Sequence, residues 1–176
     1  MKFLKIIPLF VAMLLVACDS DSTSASGDSS YGTMRYEQHY SSDEASADCY
    51  IYEKGRLLSA VMEQRFGSVG EVVVVSQIYW DGLVKAHEEV HFKGQVSPDS
   101  KSNYCSQEKA VYSQGLGGTV SCTDSEIVSD ADMGALSSAE YDEKQDGVLN
   151  GLKGSCDDFI DTFESEVLSG SVYSYM

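Results

Sequence analysis

Hydrophobic and polar residues between positions 50 and 93 occur in short runs that turn-forming residues separate. Residues 50–52, 57–66 and 71–80 are rich in β-branched and aromatic side chains, a composition typical of strands. The run 71–80 contains four successive valines, which favour a strand because branched side chains lose rotamer freedom in a helix. The run 57–66 is ambiguous, since one face of a helix would also accommodate Leu57, Leu58, Val61 and Met62.

The segment that follows Asp81-Gly82 alternates between apolar and polar residues. Asp-Gly is a frequent pair in two-residue type I′ hairpin turns, where both central residues need a positive φ. Beyond this turn, one side of the chain carries Val84, Ala86, Val90 and Phe92, and the other carries Lys85, His87, Glu89 and His91. A period of two predicts a half-buried strand over residues 83–93. The result is an antiparallel meander of about four strands, or five if residues 35–40 join it.

The pattern becomes helical from residue 103 onward. We expect a helix over residues 105–114, a turn over 115–118 and one further strand over 119–128. Apolar residues then recur at spacings of three and four over residues 157–168, which predicts an amphipathic helix. The apolar residues of this helix are Phe159, Ile160, Phe163 and Val167, and Cys156 just before it continues the same spacing.

Two local signals bound this helical region. Ser137 is followed three residues later by Glu140, a pair typical of a capping box at a helix start, and Gly170 is a suitable stop. The predicted fold class is therefore α+β, with an antiparallel β-meander of about four to five strands and C-terminal helices packed on one face.

The N-terminus has the organisation of a secretory signal. Residues 1–17 combine a basic start with a short apolar run, which is too short to cross a membrane as a helix. The segment Leu15-Val16-Ala17-Cys18 resembles the lipobox of bacterial lipoproteins. This resemblance implies that the Cys18 sulfur carries lipid, that residues 1–17 are removed, and that the protein is anchored to a membrane of the cell envelope. Asp19 resembles the inner-membrane retention signal of enteric lipoproteins, but other bacteria sort differently, so both membranes remain open.

The residues after the predicted lipid attachment site are strongly polar. Residues 19–30 contain six serines and three aspartates and no large apolar side chain. Such a segment cannot offset the entropy lost on ordering, so we expect a solvated tether over residues 18–30, lipidated at Cys18. A single α+β domain then occupies residues 31–176.

Four cysteines remain once Cys18 is assigned to lipid. An even number in an exported chain favours two disulfides, for which three pairings exist. A helix over 105–114 and a strand returning over 119–122 would bring Cys105 and Cys122 to the same level. We therefore expect Cys105–Cys122 together with Cys49–Cys156, a disulfide-stapled domain. The sequence has no C-x-x-C pair, so zinc binding by cysteine is poorly supported.

The net charge of the chain limits the kinds of molecule that it is expected to bind. The formal net charge is -16, from 12 basic against 28 acidic side chains. A chain this acidic repels phosphate backbones, which argues against nucleic acid as a partner. A protein or polysaccharide partner stays open, and two tyrosine pairs are candidates for a sugar-binding platform: Tyr36 with Tyr40, and Tyr50 with Tyr52.

The strongest catalytic motif is His87-Glu88-Glu89-Val90-His91, which matches H-E-x-x-H. On a helix, His87 and His91 would share one face and bind zinc, Glu88 would act as general base, and the arrangement would resemble the zincin metallopeptidases. Glu108 would be the third ligand. On a strand, Glu88 lies on the opposite face and the two histidines are about 13 Å apart, too far for one ion.

Because the alternation favours a strand, we expect no metal site and no cofactor here, with the zinc peptidase as the alternative. An EF-hand-like segment over residues 142–153 is also unsuited to calcium, since Lys144 and Lys153 occupy ligand positions. The sequence contains neither a G-x-S-x-G nucleophile motif nor a phosphate-binding loop. The expected function is non-enzymatic: a lipid-anchored envelope protein with a small acidic binding or structural domain.

Overall fold

The computed structural model describes residues 28–171, which form one antiparallel β-sheet and the helices packed against it. The strands are β1 (Asp28–Ser29), β2 (Gly32–Ser41), β3 (Ala45–Lys54), β4 (Leu57–Phe66), β5 (Gly70–Trp80), β6 (Val84–Gly94), β7 (Thr119–Cys122) and β8 (Glu126–Gly134). Strands β1 to β6 form a meander, and β8 pairs with β6, which leaves β7 at the far edge. The α+β class is confirmed, with a longer meander than the alternation predicts.

The turn between β5 and β6 differs from the predicted type I′ turn. Gly82 has φ 79°, but no described residue other than glycine has a positive φ, so Asp81 does not meet the type I′ requirement. The Asp81 N–H donates to the Leu83 carbonyl at 3.0 Å, which closes a three-residue loop instead. The strands themselves keep regular pairing from Trp80↔Val84 to Gly70↔Gly94.

The first helix, α1 (Pro98–Glu108), begins earlier than the sequence pattern predicts. Ser97 caps it by accepting a hydrogen bond from the Ser100 N–H, and Pro98 occupies the first turn, where its missing N–H costs nothing. The chain continues directly into a π-helix over Lys109–Gly115. The helix predicted for residues 105–114 is therefore present, but its second half is π-helical.

Residues 119–128 form parts of two strands rather than one. The Thr123 N–H donates to the Glu126 carbonyl at 2.8 Å, and the Thr123 hydroxyl accepts from the Glu126 N–H at 3.0 Å. This local turn, which threonine stabilises through its side chain, reverses the chain between β7 and β8.

The second helix, α2 (Ser138–Leu168), spans 31 residues and is much longer than the predicted helix at 157–168. Ser137 and Glu140 form the predicted capping box at its start. The EF-hand-like residues 142–153 lie within this helix, so they do not form a calcium-binding loop.

The hydrophobic core lies on one face of the sheet, between the strands and both helices. Phe163 of α2 is fully buried and its ring lies 6.0 Å from the rings of both Tyr40 and Phe66. Tyr104 of α1 packs edge-on against Phe92 of β6, with ring centroids 5.6 Å apart. Helices on one face of the sheet are thus confirmed.

Two disulfides attach the helices to this face. Cys49 of β3 is bonded to Cys156 of α2, and Cys105 of α1 is bonded to Cys122 of β7. Both predicted pairings are confirmed. None of the helices within residues 28–171 is long and apolar enough to cross a membrane.

The tether predicted over residues 18–30 overlaps with the first strand of the sheet. Asp28 and Ser29 form strand β1, which pairs with Thr33 and Gly32 of β2. The last part of the predicted tether therefore differs from the expectation at residues 28 and 29, because backbone pairing with β2 makes them part of the sheet. The predicted signal peptide and Cys18 lie outside the described residues.

Candidate functional site

The opposite face of the sheet carries no helix within the described residues, and we call it the uncovered face. At its centre Val61, Val73 and Val75 form a second apolar cluster. Each is less than one-tenth exposed, because partly buried tyrosines pack over them: Tyr50 and Tyr52 of the neighbouring strand β3, and Tyr31 of the turn between β1 and β2.

A row of five charged or titratable side chains crosses the uncovered face on β6 and β8. We call it the histidine–carboxylate row: Asp130, His87, Glu89, His91 and Glu126. The register places His87 opposite Asp130 and His91 opposite Glu126. On the other side of β6, His91 pairs with Val73 and Glu89 pairs with Val75, which fixes the row on the same face as the valine cluster.

Every ring nitrogen of the two histidines in this row faces a carboxylate oxygen. His87 Nδ1 lies 2.8 Å from Asp130 Oδ1, and its Nε2 lies 3.1 Å from Glu89 Oε1. The other oxygen of Glu89, Oε2, lies 3.0 Å from His91 Nε2. The row ends where His91 Nδ1 lies 3.3 Å from Glu126 Oε1. Glu89 is thus the centre of the row and is held from both sides.

The electrostatics of the row follow from these contacts. Burial alone would lower the pKa of His87, but its hydrogen bonds to Asp130 and Glu89 outweigh this effect and raise the pKa above the ordinary histidine value. The hydrogen bond from His87 is the main cause that lowers the pKa of Glu89. The arrangement therefore favours an ionised Glu89 beside a protonated His87.

Three members of the row are close enough together to ligate one metal ion. One donor atom from each of Glu89, His91 and Glu126 lies within 4.8 Å of the other two. Imidazole nitrogen combined with carboxylate oxygen is a donor set that divalent first-row transition metals accept.

The structure contradicts the zinc peptidase centre that the sequence left as the alternative. Residues 83–93 lie in a strand, so His87 and His91 do not share a helical face with Glu88 as their base. Glu88 points to the covered face, where it is 1% exposed, and Glu108 is buried there too, at 2% exposed. The sheet thus separates Glu88 and Glu108 from both histidines. The strand forms because β6 pairs along its length with β5 and along most of it with β8.

Glu88 and Glu108 instead meet each other, as a buried carboxyl pair that sequence reasoning missed. The Ser76 hydroxyl donates to Glu88, and the Ser129 hydroxyl donates to Glu108 at 2.9 Å. Burial, and then the charge of Glu108, raise the pKa of Glu88 well above its ordinary value, and burial also raises the pKa of Glu108. In the sequence, Glu88 occupies a position of β6 where the alternation places apolar residues. This position is the sequence signal that its carboxyl group is buried.

The tyrosines divide between the two faces. Tyr36 and Tyr40 lie on the covered face, where the Tyr36 hydroxyl donates to Asp157 at 2.5 Å and Tyr40 packs on Phe163. Tyr50 and Tyr52 lie on the uncovered face with their ring centroids 6.3 Å apart. Only the second predicted pair is therefore placed on the face that no described helix covers.

Comparisons with protein-family models, with curated proteins and with solved structures found no match to this chain. The functional argument therefore depends on the residues and their geometry alone.

Proposed function

We propose that the protein is a lipid-anchored component of a bacterial cell envelope, whose disulfide-stapled domain binds its ligand through the uncovered face of the sheet. The observation that supports lipid anchoring is the division of the cysteines between disulfides and Cys18. Four of the five cysteines form two disulfides, and the fifth is Cys18, at the end of the lipobox-like segment Leu15-Val16-Ala17-Cys18. Disulfides form and persist in oxidising compartments, which agrees with export.

The division of the sheet supports a binding role. Both helices pack on one face, and both disulfides hold them there. The other face presents the histidine–carboxylate row beside the tyrosine-covered valine cluster. A rigid sheet positions such side chains more accurately than a loop does, because hydrogen bonds fix the backbone on both sides of each inner strand. Because the chain has a strongly negative net charge, we expect this face to bind cationic or neutral ligands rather than nucleic acid.

The anchor is tested by labelling the protein with a palmitate analogue in a bacterial host. We expect label on the wild-type protein and none on the Cys18→Ser variant. Globomycin, which blocks the lipoprotein signal peptidase, should cause a slower-migrating precursor to accumulate. Unlabelled wild-type protein, or a mobility that globomycin leaves unchanged, would contradict lipid anchoring.

A polysaccharide is a second candidate ligand for the uncovered face. Tyr31, Tyr50 and Tyr52 form a row of rings there, with centroid separations of 5.7 Å and 6.3 Å. Aromatic rings provide flat apolar surface with a polar hydroxyl, which suits sugar rings. A peptidoglycan pull-down tests this candidate: retention should fall in the Tyr50→Ala and Tyr52→Ala variants, with Tyr36→Phe, a change on the covered face, as the control. Equal retention of all variants would dismiss it.

A further inference from the structure

We propose that Glu89, His91 and Glu126 form a binding site for a divalent transition-metal ion of the zinc type. The inference concerns the same uncovered face as the proposed function, but it does not depend on the lipid anchor. Glu89 and His91 are two residues apart on β6, so their side chains leave the strand on the same side. Glu126 of β8 is the direct cross-strand partner of His91. Three donors therefore converge from two hydrogen-bonded strands.

The distances fit a single ion. The three donor atoms lie within 4.8 Å of one another. Donor atoms around a tetrahedral zinc ion are roughly 3.3–3.6 Å apart, given metal–ligand distances of about 2.0–2.2 Å. Small rotations of the Glu89 and Glu126 carboxylates and the His91 ring would bring the set to this spacing. All three residues are half-buried, so an ion can reach them and water can complete its coordination.

The chemistry of the donors selects the class of metal. Two carboxylate oxygens alone would serve calcium or magnesium, which take oxygen ligands. The imidazole nitrogen of His91 shifts the preference towards zinc and other first-row transition ions. One ring nitrogen of His91 donates its lone pair to the ion, and the two carboxylates balance the charge of the ion.

The rest of the row orients the central ligand. His87 Nε2 lies 3.1 Å from Glu89 Oε1, which is the oxygen that His91 does not contact. Asp130 in turn contacts the other nitrogen of His87 at 2.8 Å. We therefore assign His87 as a positioning residue for Glu89. Partners of this kind typically change metal affinity by about 10–100-fold when they are removed.

The experiment uses the full protein, purified with both disulfides intact and freed of metal with a chelator. Isothermal titration with Zn²⁺ should show one ion bound per chain. His91→Ala and Glu126→Gln should each weaken binding at least ~10-fold, and His87→Ala about 10-fold with unchanged stoichiometry. The matched control is His39→Ala, because His39 lies on β2, which four strands separate from β8, and has its own partner Asp48. Binding by this variant should equal that of the wild type.

Three results would overturn the site: no zinc binding by the wild-type protein, equal binding by the wild-type and His91→Ala proteins, or equal displacement of zinc by Ca²⁺ at similar concentration. The last result would indicate unspecific binding to an acidic surface. Circular dichroism establishes that each variant is folded. If His91→Ala does not fold, the Glu126→Gln variant decides the question, since Gln keeps the size of the side chain. Palmitate labelling is unaffected by these variants, so failure of the metal site and failure of the anchor are distinguishable.

Discussion

Glu88 of β6 and Glu108, the last residue of α1, meet as a carboxyl pair in the interior of the covered face. One oxygen of Glu88, Oε1, is buried without a hydrogen-bond donor within residues 28–171. A proton held between the two carboxyl groups would satisfy this oxygen and remove one buried charge. The pair is therefore at its most stable when it is protonated, and its stability depends on pH.

The pH dependence of folding should follow from this pair. The pKa of Glu88 is raised in the folded state, so the folded protein holds its proton more tightly than the unfolded chain does. The pair's contribution to stability is fully present below the ordinary glutamate pKa and is lost as pH rises through the folded-state pKa. Glu88→Gln removes this loss, and the variant should be more stable than the wild type at pH 8, by about 1–3 kcal/mol, with a smaller difference at pH 4.

Urea denaturation at both pH values measures this difference. The control is Glu164→Gln, which removes the same charge from an exposed position of α2 and should leave the pH dependence unchanged. A Glu88→Gln variant that loses stability between pH 4 and pH 8 as steeply as the wild type would refute the role of the pair.

The two disulfides should differ in their contribution to stability. Cys49–Cys156 closes a loop of 107 residues, and Cys105–Cys122 closes one of 17. In the loop-entropy model, disulfides closing about 100 and about 15 residues contribute roughly 4.7 and 3 kcal/mol. Replacing both cysteines of the long-range pair by serine should therefore lower the free energy of unfolding more than replacing those of the short-range pair. Calorimetry of the two double variants measures this order, and the reverse order would contradict it.

Phe163 should be a major source of packing energy between α2 and the sheet. It is fully buried and lies between Tyr40 and Phe66. Phe163→Ala should lower the free energy of unfolding by about 3–5 kcal/mol, because the cavity adds to the lost burial. The control in the same helix is Leu168→Ala, since Leu168 is 76% exposed. Its effect should stay within about 0.5 kcal/mol, and similar effects of both variants would show that α2 is not packed as described.

The sequence predicted those elements whose local pattern has a single interpretation. The alternation over residues 83–93 indicated a strand, and β6 occupies this segment because its apolar side contributes to the core. The disulfide pairing followed from the expected geometry of a helix and a returning strand, and it is confirmed.

Other features depended on contacts that are distant in sequence. Helix α2 continues through Gly147, Gly151 and Gly154, which weaken a helix locally, because buried residues such as Leu149 and Leu152 pack on the sheet. The metal-binding set needs Glu126, and nothing local indicates that β8 lies beside β6 while β7 lies at the edge. The pairing of Glu88 with Glu108 is likewise not predictable from the sequence, since Glu108 reaches Glu88 from a helix.

The mass of the mature protein tests the central claim most directly. Intact-mass and N-terminal peptide spectrometry of protein purified from membranes should show that residues 1–17 are absent and that Cys18 carries two or three acyl chains. The remaining four cysteines should appear as the Cys49–Cys156 and Cys105–Cys122 disulfide peptides. A chain that retains Met1, or that begins at Cys18 or elsewhere without lipid, would contradict the anchored envelope protein proposed from the sequence and its fold.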